Sequence, residues 1–199
     1  MQQPGTATER FQIENLKIEI YPTRKDAGAA AAHAAAGELK RFGQTKKDAI
    51  GVIFATGASQ LETLRALVKI PDLPWDRICG FHMDEYVGIS KDHRASFRLY
   101  LRNELTERVR MRKFYEVDGN APDPEKFCEE YADALLAAHP QLCLLGIGEN
   151  GHLAFNDPMV PDPQKDWTRF WRPIGISIVR AMRPDKSGRS EPQPRGERA

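Results

Sequence analysis

Two adjacent acidic residues follow an apolar stretch in the segment GFHMDEYVG (80–88), and they are candidates for acid–base chemistry. Adjacent residues on a strand point to opposite faces, so Asp84 and Glu85 are expected to have different roles. A carboxyl group in a half-buried crevice at a strand end can have a raised pKa and then act as a base toward a carbon acid. The alternative is structural, with these acids capping a helix or pairing with Arg94 or Arg98.

The segment LLGIGENGHLAFNDP (144–158) places several polar side chains directly after another apolar run. His152 has Glu149 and Asp157 nearby, and a histidine with carboxylate neighbours is a candidate general acid or base. The three glycines before His152 follow the spacing of the dinucleotide-binding fingerprint. That interpretation is weak, because the motif comes late in the chain and lacks a regular helix and a ribose-binding acid after it. A surface loop without catalytic function is the alternative.

A third polar loop follows the run AIGVIFA, where a turn of small residues leads into a helix. The free N–H groups at a helix N-terminus attract anions, and hydroxyl groups add donors, so the turn is a candidate phosphate cradle. An ordinary turn with a capping serine is the alternative, and the absence of a lysine in the P-loop position argues against a nucleotide P-loop. The residues of this turn are Thr56, Gly57, Ala58 and Ser59.

Apolar runs that alternate with helical patterns must position these three loops. Continuous apolar runs are typical of strands that are buried on both faces, and alternation of strand and helix favours a parallel sheet with helices on both faces. We therefore predict an α/β fold. A short apolar patch at 167–182 could be a further strand or a docked segment. The predicted strands are 16–21, 49–55, 77–83 and 142–147, and the predicted helices are 23–42, 60–70, 95–109 and 123–139, with Thr23 as a cap and Gly43 as a stop.

Composition narrows the functional classes. The 199 residues include 41% hydrophobic and 29% charged residues with a net charge of +1, so nothing global points to nucleic acid or to an anionic membrane. No apolar run approaches the roughly 20 residues of a membrane span, and the N-terminus does not resemble a secretory signal. Three cysteines without CxxC spacing indicate reduced, buried thiols in a cytoplasmic protein. The histidines and acids show no compact metal-binding motif, so no metal site is predicted.

Taken together, the three loops resemble those of the glucosamine-6-phosphate deaminase/isomerase family, which shares its fold with 6-phosphogluconolactonases. The resemblance covers residues 15–158, and MDEYVG and GHLAFN favour the deaminase branch over the lactonase branch. The matching segments are ATGAS (55–59), FHMDEYVGI (81–89) with HRASF (93–97), DGNAPD (118–123) and LLGIGENGHLAFNDP (144–158).

The resemblance implies a three-layer, Rossmann-like fold with a mostly parallel sheet that is incomplete at the C-terminus. It also implies conversion of an amino-sugar phosphate to a ketose phosphate plus ammonia, without a cofactor. In this scheme His152 opens the sugar ring and Asp84 moves a proton from C2 to C1. Asn150 and Asp157 complete the catalytic group, the turn 56–59 binds the phosphate, and Glu85 and Gly151 also bind substrate. The implied partner is a small-molecule sugar phosphate, and assembly into a homo-oligomer is left open.

The chain departs from the family pattern in two ways. Asn150 stands where the family has aspartate, and Asp157 where it has glutamate. Beyond residue 158 the Ser-Arg-Thr and Gly-x-x-Lys segments are missing, so we expect a domain at 1–158 and an atypical, partly disordered Pro/Arg-rich tail at 159–199 from a truncated or altered reading frame. The alternatives are a catalytically weak or inactive sugar-phosphate-binding relative, a 6-phosphogluconolactonase-like hydrolase and, more distantly, a dinucleotide-binding oxidoreductase.

Overall fold

Strands and helices alternate along most of the chain, as predicted. The computed structural model describes residues 5–46, 48–148, 152–154 and 178–182. A 3-10 turn at Trp75–Arg77 precedes the strand Ile78–His82, and a wider π-type turn at Arg102–Thr106 continues the helix Phe97–Leu101. The elements are β1 (Glu9–Ile13), β2 (Leu16–Tyr21), α1 (Arg24–Thr45), β3 (Ile50–Phe54), α2 (Ala58–Leu67), β4 (Ile78–His82), α3 (Phe97–Leu101), β5 (Lys113–Tyr115), α4 (Pro124–Ala138), β6 (Leu142–Leu144) and β7 (Ile178–Met182).

A four-stranded parallel sheet forms the centre of the fold, with strand order β5-β4-β3-β6. Every residue of β3 is buried, which fits its uninterrupted apolar sequence. The expectation of a fully buried strand at 142–147 is wrong, because β6 is half-buried and spans Leu142–Leu144. Strand β6 lies at one end of the sheet in the described part of the chain, where one neighbour is lacking.

Helices cover both faces of this sheet, and the three-layer α/β prediction is confirmed. On one face Ile50, Val52 and Phe54 of β3 pack into a cluster with alanines and leucines of α1, α2 and α3. On the other face Phe81 of β4 meets the edge of the Tyr131 ring of α4 at a centroid distance of 6.1 Å. Alternate residues of a strand point to opposite faces, so one apolar strand serves both layers.

Helix α1 shows how local signals define an element. Thr23 is the N-cap, as predicted, and its hydroxyl accepts a hydrogen bond from the Asp26 N–H at 3.1 Å. The predicted stop at Gly43 is wrong, because the helix continues to Thr45. A Cβ at Gly43 would lie 3.2 Å from Cγ of Pro74, so the glycine permits a close approach of the 67–78 connection rather than ending the helix.

Strand β2 belongs to a second, three-stranded sheet rather than to the parallel one. It pairs antiparallel with β1 and parallel with β7. Strand β1 was not predicted, because all of its residues are exposed and the sequence ERFQI carries no apolar run. Strand β7 supports the strand interpretation of the patch 167–182 for residues 178–182, and the predicted disorder at the end of the tail lies outside the described residues.

The structure also shows the state of the cysteines and the lengths of the apolar helices. All three cysteines are free thiols, but Cys79 and Cys143 are half-buried and Cys128 is exposed, so the prediction of buried thiols is wrong for Cys128. Burial raises the pKa of the Cys143 thiol to about 12, so this cysteine is protonated at neutral pH. None of the described helices is both long and apolar enough to cross a membrane.

Candidate active site

The sheet topology brings the three polar loops to one edge. Strand β3 lies between β4 and β6, so the loops that follow these strands are neighbours. The Met83 N–H donates to the Phe54 carbonyl at 3.1 Å, and the Ala55 N–H donates to the Leu144 carbonyl at 3.0 Å. The strand order reverses at β3, and ligands of open α/β sheets bind beyond the strand ends at such a point.

Asp84 lies two residues beyond β4 and is half-buried. Burial first and the charge of Glu85 second raise the pKa of its carboxyl group from 3.8 to about 6, and the charge of His152 opposes the rise. This confirms the expected shift for a strand-end carboxyl group. A carboxylate with this pKa is ionised at neutral pH and is a stronger base than an exposed aspartate.

The side chain of Glu85 is buried in the protein. Its Oε2 accepts hydrogen bonds from the Ser96 hydroxyl at 2.8 Å and from the Arg98 N–H at 2.9 Å. Its Oε1 accepts from the Phe97 N–H at 3.1 Å and from the Tyr86 N–H at 3.0 Å. Burial alone would raise its pKa, but these hydrogen bonds together outweigh burial and lower it.

The different roles expected for the two acids are therefore visible in their contacts. Glu85 caps α3 and lies 3.5 Å from Arg98 Nε, as in the structural alternative. Its side chain is 0% exposed, so the substrate contact expected for Glu85 is replaced by contacts within the protein. Asp84 lies beyond the strand end with a half-buried carboxyl group.

His152 is half-buried beside the loop that follows β6. The Gly148 N–H donates to the His152 carbonyl at 2.9 Å, and a Cβ at Gly148 would overlap the imidazole ring, so a larger residue there would force the ring to move. The charge of His152 acts on Asp84, which brings two predicted catalytic groups within electrostatic range. The other predicted residues of this loop, Asn150, Gly151 and Asp157, lie outside the described residues, as does Glu149.

The turn 56–59 forms the N-terminus of α2. Gly57 is the N-cap, with a φ of 99° that favours glycine, and no side chain caps the helix, so the capping-serine alternative is wrong. Ala58 and Ser59 are exposed, and Thr56 is half-buried. A Cβ at Gly146 would lie 2.5 Å from the Ser59 hydroxyl oxygen, so the loops after β3 and β6 meet here.

Two residues that sequence reasoning missed hold this turn in place. The Tyr100 hydroxyl donates to the Gly57 carbonyl at 3.0 Å. Arg24 donates to the Ala58 carbonyl and pairs with Glu62 at 3.3 Å. Both come from other helices, and no local pattern in the sequence connects them with the turn.

His82 is the last residue of β4 and is 1% exposed. Burial lowers the pKa of its imidazole to about 4, with Glu85 raising it and Arg98 lowering it, so the ring is neutral at physiological pH. Within the described ranges, no three histidine, cysteine or acidic side chains are grouped as metal ligands.

Comparison with known proteins identifies the family. Residues 22–156 match the family model described as glucosamine-6-phosphate isomerases/6-phosphogluconolactonase. A glucosamine-6-phosphate deaminase of Arthrobacter sp. (strain FB24) is 38% identical over 72% of this chain and 55% of its own length. The chain thus spans about half the length of the curated relatives it matches.

Solved structures agree with the family match. A monomeric glucosamine-6-phosphate deaminase superposes with a TM-score of 0.65 at 28% identity, over 72% of this chain and 60% of the other. The 6-phosphogluconolactonase of Thermotoga maritima has a TM-score of 0.61 at 24% identity, over 70% and 63% of the two chains, and shows the shared fold. The chain belongs to the family of glucosamine-6-phosphate isomerases and 6-phosphogluconolactonases.

Proposed function

We propose that the chain carries a glucosamine-6-phosphate deaminase-like site, which converts an amino-sugar phosphate to a ketose phosphate plus ammonia. The observation that carries this proposal is the Asp84 carboxyl group, which lies beyond the end of β4 with a pKa raised to about 6 and within electrostatic range of His152. The deaminase relatives named above support the choice of substrate.

Ring opening and isomerisation require proton transfers, for which the two groups are suited. His152 shuttles the proton between O1 and the ring oxygen, because an imidazole can both accept and donate a proton. Asp84 then takes the proton from C2 to give an enolamine and returns it to C1, which leaves an iminium at C2. Water adds to that carbon, and ammonia leaves to give the ketose phosphate. With a pKa of about 6, Asp84 is ionised at pH 7 and close to the best basicity for this step.

The N-terminus of α2 binds the phosphate in this scheme. The exposed backbone of Ala58 and Ser59 presents N–H groups at the positive end of the helix dipole, and the hydroxyls of Ser59 and Thr56 add donors. The turn and Asp84 follow adjacent strands, so a sugar phosphate bound at the turn reaches toward the base. Binding and proton transfer need no cofactor.

A catalytically inactive sugar-phosphate-binding relative is the second candidate, and Asn150 favours it. An asparagine cannot stabilise an imidazolium as an aspartate does, so His152 loses charge support unless Asp157 or Glu149 supplies it. Asn150 and Asp157 keep their predicted catalytic roles in the first candidate, and Gly151 its role in substrate binding.

Ammonia release from glucosamine 6-phosphate tests the first candidate. We expect the natural chain to release ammonia and Asp84→Asn to lose at least 99% of the rate, because the general base is removed. Asp92→Asn is the matched control, since it removes an exposed carboxylate that pairs with Arg102 at 3.0 Å. Equal rates for the natural chain and Asp84→Asn would refute the role of Asp84. Calorimetric binding of the phosphate ester without ammonia release would select the second candidate.

A further inference from the structure

We propose that Glu85, Arg98 and Asp118 form a positioning unit that holds the Asp84 backbone and sets the charge around its carboxyl group. This inference rests on the proposed function, because Asp84 is the base only in that scheme. The three residues come from the β4–α3 loop, from α3 and from the β5–α4 loop.

Glu85 fixes the chain directly after Asp84. Four donors from residues 86 and 96–98 contact its two oxygens at 2.8 to 3.1 Å, and the side chain is fully buried. Asp84 and Glu85 share one peptide bond, so Asp84 cannot rotate away from the strand end without disturbing this buried capping interaction. The N-terminus of α3 thereby anchors the position of the proposed base.

Arg98 connects Glu85 to two further segments. Its Nη2 donates to the Ile89 carbonyl at 2.9 Å, and its Nη1 donates to Asp118 Oδ1 at 2.6 Å, while the side chain is 5% exposed. The guanidinium group therefore fixes both ends of the loop 85–89. The Gly88 N–H also donates to the Gly119 carbonyl at 2.6 Å, which fastens the tip of the loop to the same segment as Asp118.

The same contacts determine the charges that face Asp84. Glu85 remains ionised while Asp84 titrates, because its hydrogen bonds lower its pKa. The buried His82 is neutral in this range, and the half-buried His152 opposes the effect of Glu85. The negative charge of Glu85 thus strengthens Asp84 as a base, and Arg98 keeps that charge stable in the interior.

A nuclear magnetic resonance titration of the Asp84 carboxyl carbon in the ligand-free chain tests the charge effect. Asp84→Asn assigns the signal. Glu85→Gln keeps the shape of the side chain but removes its charge, and we expect the midpoint for Asp84 to fall by up to about one pH unit, because Glu85 is the second cause, after burial, of the rise from 3.8 to about 6. An unchanged midpoint in Glu85→Gln would overturn this part of the proposal.

Glu104→Gln is the matched control. Glu104 is 8% exposed and accepts two hydrogen bonds from Arg65 at 2.8 Å, but it connects α2 with the turn after α3. We expect Glu104→Gln to lose about as much stability as Glu85→Gln and to leave the Asp84 midpoint unchanged. An equal shift in both variants would show a general loosening of the fold and would overturn the specific role of Glu85.

Amide hydrogen exchange tests whether the positioning unit holds the loop 85–89, with a variant that is easier to fold. Asp118 has a half-exposed side chain, so Asp118→Asn weakens its contact with Arg98 without burying an unpaired group deeply. We expect exchange at residues 86–89 to accelerate at least tenfold, while α1 is unaffected. Unchanged exchange at 86–89 would overturn the claim that Arg98 and Asp118 hold this loop. Neither experiment requires turnover, so a chain that shows both effects but releases no ammonia would refute the proposed function alone.

Discussion

Replacing Asp84 with asparagine should stabilise the folded protein at neutral pH while removing the proposed base. In the folded protein the pKa of Asp84 is raised from 3.8 to about 6, mainly by burial. The folded state therefore holds this proton more tightly than the unfolded state. As pH rises from about 3.8 to about 6, ionisation of Asp84 costs the folded state stability, and the cost is complete above pH 6.

The size of this free-energy cost follows from the rise of about two units in the pKa of Asp84. Each unit corresponds to about 1.4 kcal/mol, so the upper limit is about 3 kcal/mol. Asp84 is half-buried, and screening by solvent reduces this to about 1 to 2 kcal/mol. Asparagine carries no charge and should recover this free energy at pH 7.5, but little of it at pH 4, where Asp84 is protonated in the folded state.

Urea unfolding followed by circular dichroism at pH 4 and pH 7.5 measures the difference. Asp92→Asn is the control of opposite sign, because hydrogen bonds from Lys91 and then Arg102 lower the pKa of Asp92. That variant should not gain stability at pH 7.5. If Asp84→Asn is no more stable than the natural chain at pH 7.5, or gains equally at both pH values, the argument from the buried charge is refuted.

Two further predictions concern the turn at α2 and the end of β4. Gly146→Ala should weaken the binding of glucosamine 6-phosphate two- to tenfold, as measured by calorimetry, because the new methyl group displaces the Ser59 hydroxyl. Gly37→Ala is the control and should leave binding unchanged, because nothing lies within 4 Å of the new Cβ. Tyr131→Phe should cost about 1 to 2 kcal/mol in urea unfolding, since the hydroxyl donates to the His82 carbonyl at 2.7 Å, and an unchanged midpoint would contradict this.

The sequence predicts the fold well where burial determines the pattern. The fully buried β3 appears as an uninterrupted apolar run, and the cap at Thr23 marks the start of α1. The sequence does not predict β1, because its two apolar residues, Phe11 and Ile13, are too few to mark a strand and are exposed at the edge of the sheet. The assignment of β2 to a second sheet depends on pairing with β7, which lies more than 150 residues away in the chain.

The site is predictable in part for a similar reason. Asp84 follows an apolar strand directly, so both its half-buried position and its raised pKa can be expected from local sequence. The contacts of Glu85 depend on where α3 begins in space, and a local pattern could only suggest Arg94 or Arg98 as partners. Tyr100 gives no signal at all, because its contact with Gly57 spans 43 residues.

The pH dependence of ammonia release from glucosamine 6-phosphate tests the central claim most directly. If Asp84 is the base, kcat/KM should rise with pH through a midpoint near 6, and Asp84→Asn should show no such rise because the titrating group is gone. A rate that is independent of pH between 5 and 7, or one that survives in Asp84→Asn, would contradict the claim.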